Sequence, residues 1–342
     1  MRMTATALSD HSADHVQVGR AEPGSNSYIQ RLLPFGEPTC QRPPPDLGSE
    51  LPRGRRPAPH DDGRVDVTGG AVRATAPVRP GVPAAERHWW AGHEDALPGG
   101  LEWLSARERA RLDAMRFTKR RNEYLLRRWV GKRTVAARVG LDTDQASLAR
   151  IELLNWMTGA PYIALEGVVA PWEISLSDRA GCAVAVIGAS GSGAGALGID
   201  LEVVEPRSEG FVADFLTRAE QDWVRGPAAA DPGLGRDAAA NLVWSAKEAA
   251  LKVLRLGLRA DTRSVEITVG SVVLGDGWAR FTAARRGGPV MPGWWRRDGV
   301  YLLTVAAQND LDPPTVLPGA TDVARATPVH SWVGRPLVTP GE

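Results

Sequence analysis

Gly198-Ile199-Asp200-Leu201-Glu202 sets two carboxylates two residues apart. On a strand, successive side chains alternate, so Asp200 and Glu202 share one face while Ile199 and Leu201 take the other. Two neighbouring carboxylates repel, and a partly enclosed pair needs a cation to be tolerated. Oxygen ligands of this kind suit magnesium, which keeps waters and takes one or two carboxylates together with substrate phosphates. An isolated D-x-E is more often a solvated acidic edge, so this pattern needs company. Trp244-Ser245-Ala246-Lys247-Glu248-Ala249-Ala250-Leu251-Lys252 supplies it. Glu248 and Lys252 are four apart and share a helix face. As a surface pair they would contribute only ~0.2–0.5 kcal/mol. Trp244 and the alanines instead predict a helix packed over much of its girth.

A basic stretch precedes these motifs. Arg111 to Arg133 holds nine Lys/Arg against two acids, Asp113 and Glu123, in a chain of net charge +1. Arg121, Arg128 and Lys132 fall at i, i+7 and i+11, with Leu125 and Trp129 on a neighbouring apolar stripe. Such a stripe predicts a local polyanion site. A nucleic-acid backbone is the rival ligand, and the acidic pair argues against it. No histidine lies between residues 94 and 329, so histidine zinc sites and Ser–His hydrolysis have nothing to use there. Two cysteines, Cys40 and Cys182, are too few for a disulfide framework and read as reduced thiols of a cytoplasmic protein. No apolar run approaches the ~20 residues of a membrane span, and no secretory signal opens the chain.

Several glycine motifs lead nowhere. Gly188 to Gly195 is followed by the Asp200 strand, not by the helix a dinucleotide fingerprint needs. Gly131-Lys132-Arg133-Thr134 has Leu126 where a P-loop has its first glycine. Gly191-Ser192-Gly193 has no histidine to complete a nucleophile elbow.

The elements that must hold these residues follow from pattern. Residues 1–85 carry 12 of the 26 prolines and no period, and read as a disordered leader with one apolar patch, Tyr28 to Phe35. Order begins at a short strand near Arg87-His88-Trp89-Trp90. Ser105 and Glu108 form a capping-box pattern. A helix is predicted from Lys119 to Val139, ending at Gly140, then one long strand or a strand pair from Trp172 to Ile187. Gly188 to Ala196 reads as a connector. Strand Leu197–Val203, helix Asp237–Arg255 closed by Gly257, and strands Val265–Val269, Trp278–Ala283 and Val300–Ala306 follow. Residues 311–342 read as a loose tail. The class is α+β, with an N-terminal lobe over 86–187 and a C-terminal lobe over 197–310.

Taken together, G-I-D-L-E and W-S-A-K-E-A-A-L-K resemble the signature of surfactin-type 4′-phosphopantetheinyl transferases, (V/I)-G-(V/I)-D-x-E and (F/W)-(S/C)-x-K-E-(A/S)-x-x-K. Phe215-Leu216-Thr217-Arg218-Ala219-Glu220 is similar to the family's F-(F/L)-(S/T)-x-x-E segment between them. The resemblance covers roughly residues 86–310. It implies two pseudo-symmetric α/β lobes with coenzyme A and Mg2+ in the cleft between them. It further implies transfer of phosphopantetheine to a serine of an apo acyl, peptidyl or aryl carrier protein in fatty-acid, polyketide or nonribosomal-peptide synthesis. A monomer is expected, because one chain builds both lobes, and neither nucleic acid nor membrane is an expected partner. A non-catalytic coenzyme A- or carrier-binding relative is the alternative, with a basic nucleic-acid-binding protein as the third reading.

By the same resemblance Asp200, Glu202 and Glu248 hold the metal, Glu248 is the base and Lys252 neutralises the leaving phosphate. Lys247 assists phosphate binding. The first-lobe pattern R-F-x-x-x-R-R-x-x-Y-L-x-x-R-W assigns Arg116, Lys119, Arg128 and Lys132 to the nucleotide phosphates. Two departures stand out. The family's S-H-S aligns with Ser177-Asp178-Arg179, putting an aspartate where a histidine holds the 3′-phosphate and leaving Arg179 as substitute. Its G-(K/R)-P is Gly159-Ala160-Pro161, without the cation.

Overall fold

A computed structural model describes residues 86–190, 195–256, 260–273, 275, 277–310 and 312–329. All belong to one contact unit, Ala71–Glu342. The leader with its Tyr28 to Phe35 patch, the middle of the glycine connector, and Gly257 lie outside the described residues.

The described part of the chain mixes helices and sheets. Helices α1 (Ala106–Asp113), α2 (Thr118–Val139) and α3 (Gln145–Ala149) occupy the first half, with strands β1 (His88–His93), β2 (Ile151–Asn155), β3 (Pro161–Leu165), β4 (Val168–Val169), β5 (Trp172–Arg179) and β6 (Cys182–Ala189). The second half holds β7 (Leu197–Val203), α4 (Glu209–Phe215), α5 (Arg218–Arg225), α6 (Pro227–Ala230), α7 (Gly235–Val253), β8 (Val265–Val273), β9 (Ala279–Arg285), β10 (Val290–Asp298), β11 (Tyr301–Ala307) and β12 (Thr315–Val316). One sheet runs β12-β1-β6-β5, a second β7-β11-β10-β9-β8, and a small third β2-β3-β4.

Three apolar cores stack these elements. Leu125, Trp129 and Val130 of α2 pack against Trp90, Ile174, Ala183 and Ile187 on one face of the first sheet. Val243, Ala246 and Ala250 of α7 pack against Val265, Ile267, Phe281 and Met291 on the second sheet. The remaining faces meet each other, Trp89, Val184 and Val186 against Ile199, Leu201, Leu303 and Val305. The layers are therefore helix, sheet, sheet, helix, each sheet burying both faces.

Local signals explain the termini. Ser105 Oγ accepts from Glu108 N at 3.3 Å and Glu108 Oε2 accepts from Ser105 N at 3.0 Å, the full capping box. Gly140 closes α2 at φ 74°, a left-handed position that suits glycine. The strand predicted at Leu197–Val203 has those bounds. Trp172 to Ile187 is a hairpin rather than one strand, turning at Ala180 and Gly181. Residues 312–329 are not a loose tail. Thr315 and Val316 pair with His88 and Trp89 in parallel, and Leu317 and Val323 are buried.

Candidate active site

Strand β7 carries the acidic pair. Its pleat turns Ile199 and Leu201 into the sheet–sheet core and Asp200 and Glu202 toward α7. Helix and strand approach closely because position 198 is glycine; a Cβ there would lie 1.9 Å from Ala249 O. Ser245, Glu248 and Lys252 follow one another at three- and four-residue spacing, and Trp244 stands four before Glu248, so all four share the face of α7 turned to the strand.

Asp200 is the most bonded residue of the site. Its Oδ1 accepts from Ser177 Oγ and from Lys252 Nζ, both at 2.8 Å, and its Oδ2 accepts from Ser245 Oγ at 2.9 Å. Ser245 Oγ lies 2.8 Å from Thr304 Oγ1, and Lys252 Nζ also donates to Ile199 O at 2.8 Å. Glu202 Oε1 accepts from Trp244 Nε1 at 2.9 Å, and its Oε2 accepts from Arg207 Nη2 at 3.2 Å with Arg179 Nε 3.3 Å away. Phe211 and Phe215 pack edge-on around the Trp244 ring at 5.3 and 5.2 Å. Glu248 differs from both. Its Oε1 is out of water and has no hydrogen-bond partner. Burial, then the charge of Asp200, pushes both Glu202 and Glu248 up to about 7.

An orphaned carboxylate oxygen beside two more carboxylates is the donor chemistry of a hard divalent cation. Among the described residues, however, no three His, Cys, Asp or Glu side chains stand close enough to enclose an ion by themselves. A cation here would need further oxygen ligands to complete its shell.

The structure divides the other expected site residues. Ser177 and Lys252 meet at Asp200. Lys119, Asp178 and Arg179 line one cavity of about 100 Å³ with Glu123. Asp178 is not a lone charge, because the Arg127 guanidinium pairs with it. Arg179 turns toward the acidic strand and pairs with Glu205 as well as Glu202. Arg116 is exposed, and Lys119 Nζ lies 3.7 Å from Glu123 Oε1.

Lys132 and Lys247 require correction, since each ammonium is turned into the protein and satisfied there, whereas Arg128 keeps a buried Nε without a hydrogen-bond partner. Lys132 Nζ is fully buried, 2.5 Å from Glu108 Oε2, and donates to Trp103 O and Leu148 O. Lys247 Nζ is equally buried, 2.8 Å from Glu220 Oε2, and donates to Thr262 O and Val265 O. Each ammonium spends its three protons inside the protein, leaving none for a phosphate. Arg128 donates to Asn155 Oδ1 at 3.1 Å and lies over the Tyr124 ring. Arg121 of α2 likewise donates to Leu112 O of α1, so the basic stripe of α2 is largely internal. Ser245 was legible from its spacing to Glu248 and Lys252. Arg207 lies in a loop and Thr304 one strand away on β11, and neither carries a sequence signal.

Residues 196–275 match the model of the family described as the 4′-phosphopantetheinyl transferase superfamily. That segment spans β7 through β8 and includes Asp200, Glu202, Glu248 and Lys252. Over this segment, less than half of the chain, the protein is similar to that superfamily. No curated protein matches the chain. Among the described residues no helix is long and apolar enough to cross a membrane.

Proposed function

We propose that the protein transfers 4′-phosphopantetheine from coenzyme A to a serine hydroxyl of an apo carrier protein, in the manner of the surfactin-type branch, and releases 3′,5′-ADP. The observation that carries this reading is Glu248 Oε1, buried and unpartnered beside Asp200 within the matched segment. Asp200, Glu202 and Glu248 would hold Mg2+, which supplies charge to the pyrophosphate oxygens when bound.

The chain's own groups account for the remaining chemistry. Glu248, held near neutral pH by burial, accepts the serine proton directly or through one water. The serine oxygen forms its bond to the β-phosphorus as the bond to 3′,5′-ADP breaks. Lys252, 2.8 Å from Asp200 Oδ1, would offset the charge of the leaving phosphate. Ser177 and Ser245 fix the Asp200 carboxylate from opposite sides. Arg179 and Lys119 border the cavity assigned to the nucleotide phosphates. Lys132 and Lys247 are not part of that site.

The two-lobe, internally repeated arrangement belongs to the same proposal. It is supported by a duplicated device. Glu108 and Glu220 each sit at N3 of a capping box, each accepts a strand N–H (Leu153 and Ile267), and each pairs with a buried lysine from a long helix. The test is mass measurement of acyl, peptidyl and aryl apo carriers after incubation with the protein, Mg2+ and coenzyme A. A gain of one phosphopantetheine on any of them is expected. Unmodified carriers throughout, with coenzyme A bound, would favour the non-catalytic alternative.

A further inference from the structure

The described part of the segment after β11 reaches the cavity at Lys119. It is zipped along the outer edge of β1, with Thr315 N donating to Arg87 O (2.8 Å), Leu317 N to Trp89 O (2.9 Å) and Thr321 N to Ala91 O (2.8 Å). Leu317 is buried under α2, and Val323 is buried between the two sheets. Past Ala326, which packs on the inter-sheet core, the attachment thins. His93 Nε2 lies 3.3 Å from Thr327 O in an exposed contact, and Val329 N donates to Ala180 O at 2.8 Å. Few buried contacts and exposed hydrogen bonds mark the part of a structure that opens first.

Val329 forms one wall of the cavity; Lys119 and Glu123 of α2, and Asp178 and Arg179 of β5, form others. The space is about 100 Å³. That is far below the ~300 Å³ at which small-molecule pockets begin. The cations around it are also committed. Lys119 faces Glu123, Arg127 pairs with Asp178, and Arg179 pairs with Glu202 and Glu205. The walls from α2 and β5 belong to a packed helix and sheet. The wall at Val329 is held by the backbone hydrogen bond to Ala180, the His93 contact at Thr327 and the Val329 side chain lying over Gly181.

We propose that Thr327–Val329 is a gate, closed here, that must swing away from Ala180 before a phosphorylated nucleotide can enter between Lys119 and Arg179. The inference rests on the coenzyme A reading of this cavity. A ligand that binds only the open form has its affinity reduced by the fraction of molecules that are open. Loosening the gate therefore tightens binding without adding any contact.

The experiment is calorimetric titration of coenzyme A, with Mg2+, into four proteins. These are the full chain, the full chain with Val329→Pro, a chain ending at Ala326, and a chain ending at Val329. Proline removes the N–H that donates to Ala180 O and leaves Val323 and β12 untouched. Val329→Pro and the chain ending at Ala326 should bind about fivefold tighter than the full chain, and the chain ending at Val329 should match it. If the shorter truncation does not fold, Val329→Pro decides alone. Equal affinity in all four, or weaker binding in the two opened forms, overturns the gate while leaving the coenzyme A site standing. Tighter binding in the chain ending at Val329 also overturns it, by moving the effect to later residues. If none of the four binds, the coenzyme A reading itself fails and takes the gate with it.

Discussion

Lys247 Nζ lies 2.8 Å from Glu220 Oε2, with both side chains out of water. The same carboxylate caps α5 at Thr217 N and accepts from Ile267 N. Glu220 thereby ties a helix start, a strand and α7 together. Removing the ammonium leaves a buried carboxylate uncompensated, a loss of about 3–5 kcal/mol. Lys247→Met should lower unfolding stability by that order. Any folded fraction should still bind coenzyme A with unchanged affinity. Urea unfolding and calorimetry on one preparation check both. A stable Lys247→Met that no longer binds would return Lys247 to the ligand site.

The carboxyl of Glu248 is held at about 7, well above its ordinary value near 4.5. A proton bound more tightly when folded contributes stability that is full below the unfolded value and is lost as pH rises through 7. Glu248→Gln removes that loss. Without divalent ions it should be more stable than the parent at pH 8, by on the order of 2 kcal/mol, and nearly equal at pH 5. Added Mg2+ should raise the parent's thermal midpoint at pH 8 and leave that of the variant unchanged. Thermal scans at the two pH values, with and without Mg2+, provide the comparison. A variant less stable than the parent at pH 8 would mean that Glu248 is already paired.

Ser245 stands between Asp200 Oδ2 and Thr304 Oγ1. Ser245→Ala leaves one carboxylate oxygen without its donor, and hydrogen bonds to charged groups are worth about 1.5–3 kcal/mol. Turnover should fall by ~10–100-fold while KM for coenzyme A changes little. Ser245→Thr, which keeps the hydroxyl, should recover most of it. Loss in both variants would point to packing against Ala249 rather than to orientation of Asp200.

The acidic site was legible because its signals are local. Alternation in Leu197–Val203 and the four-residue spacing of Glu248 and Lys252 need no knowledge of the rest of the chain. The basic stripe misled for the opposite reason. Spacing places Arg128 and Lys132 on one helix face, but whether that face meets water depends on Glu108, Trp103 and Asn155, which come from other elements. Strand β10 was missed because Pro292 and Gly293 break its pattern. Gly293 is required by a cross-strand partner, since a Cβ there would lie 2.2 Å from the Phe281 ring. The run from Thr315 to Val329 looked loose because it pairs with β1, more than 220 residues earlier.

Asp178 provides the last test, on the departure from the family's histidine. Were it uncompensated, it would repel the 3′-phosphate. Its partner Arg127 instead lies on α2, and both side chains are more than half buried. Arg127→Ala should therefore expose the aspartate charge and weaken coenzyme A about fivefold, with dephospho-coenzyme A nearly unchanged. Asp178→Asn in the Arg127→Ala background should restore most of that affinity, because the charge that did the harm is gone. Alone, Asp178→Asn should change little or tighten binding slightly, as Arg127 is freed. The four proteins form a double-mutant cycle in which a coupling of about 1 kcal/mol is expected. Calorimetry with both ligands reads it. Additive losses from the two substitutions, or equal shifts in the two ligands, would place the 3′-phosphate away from this strand end.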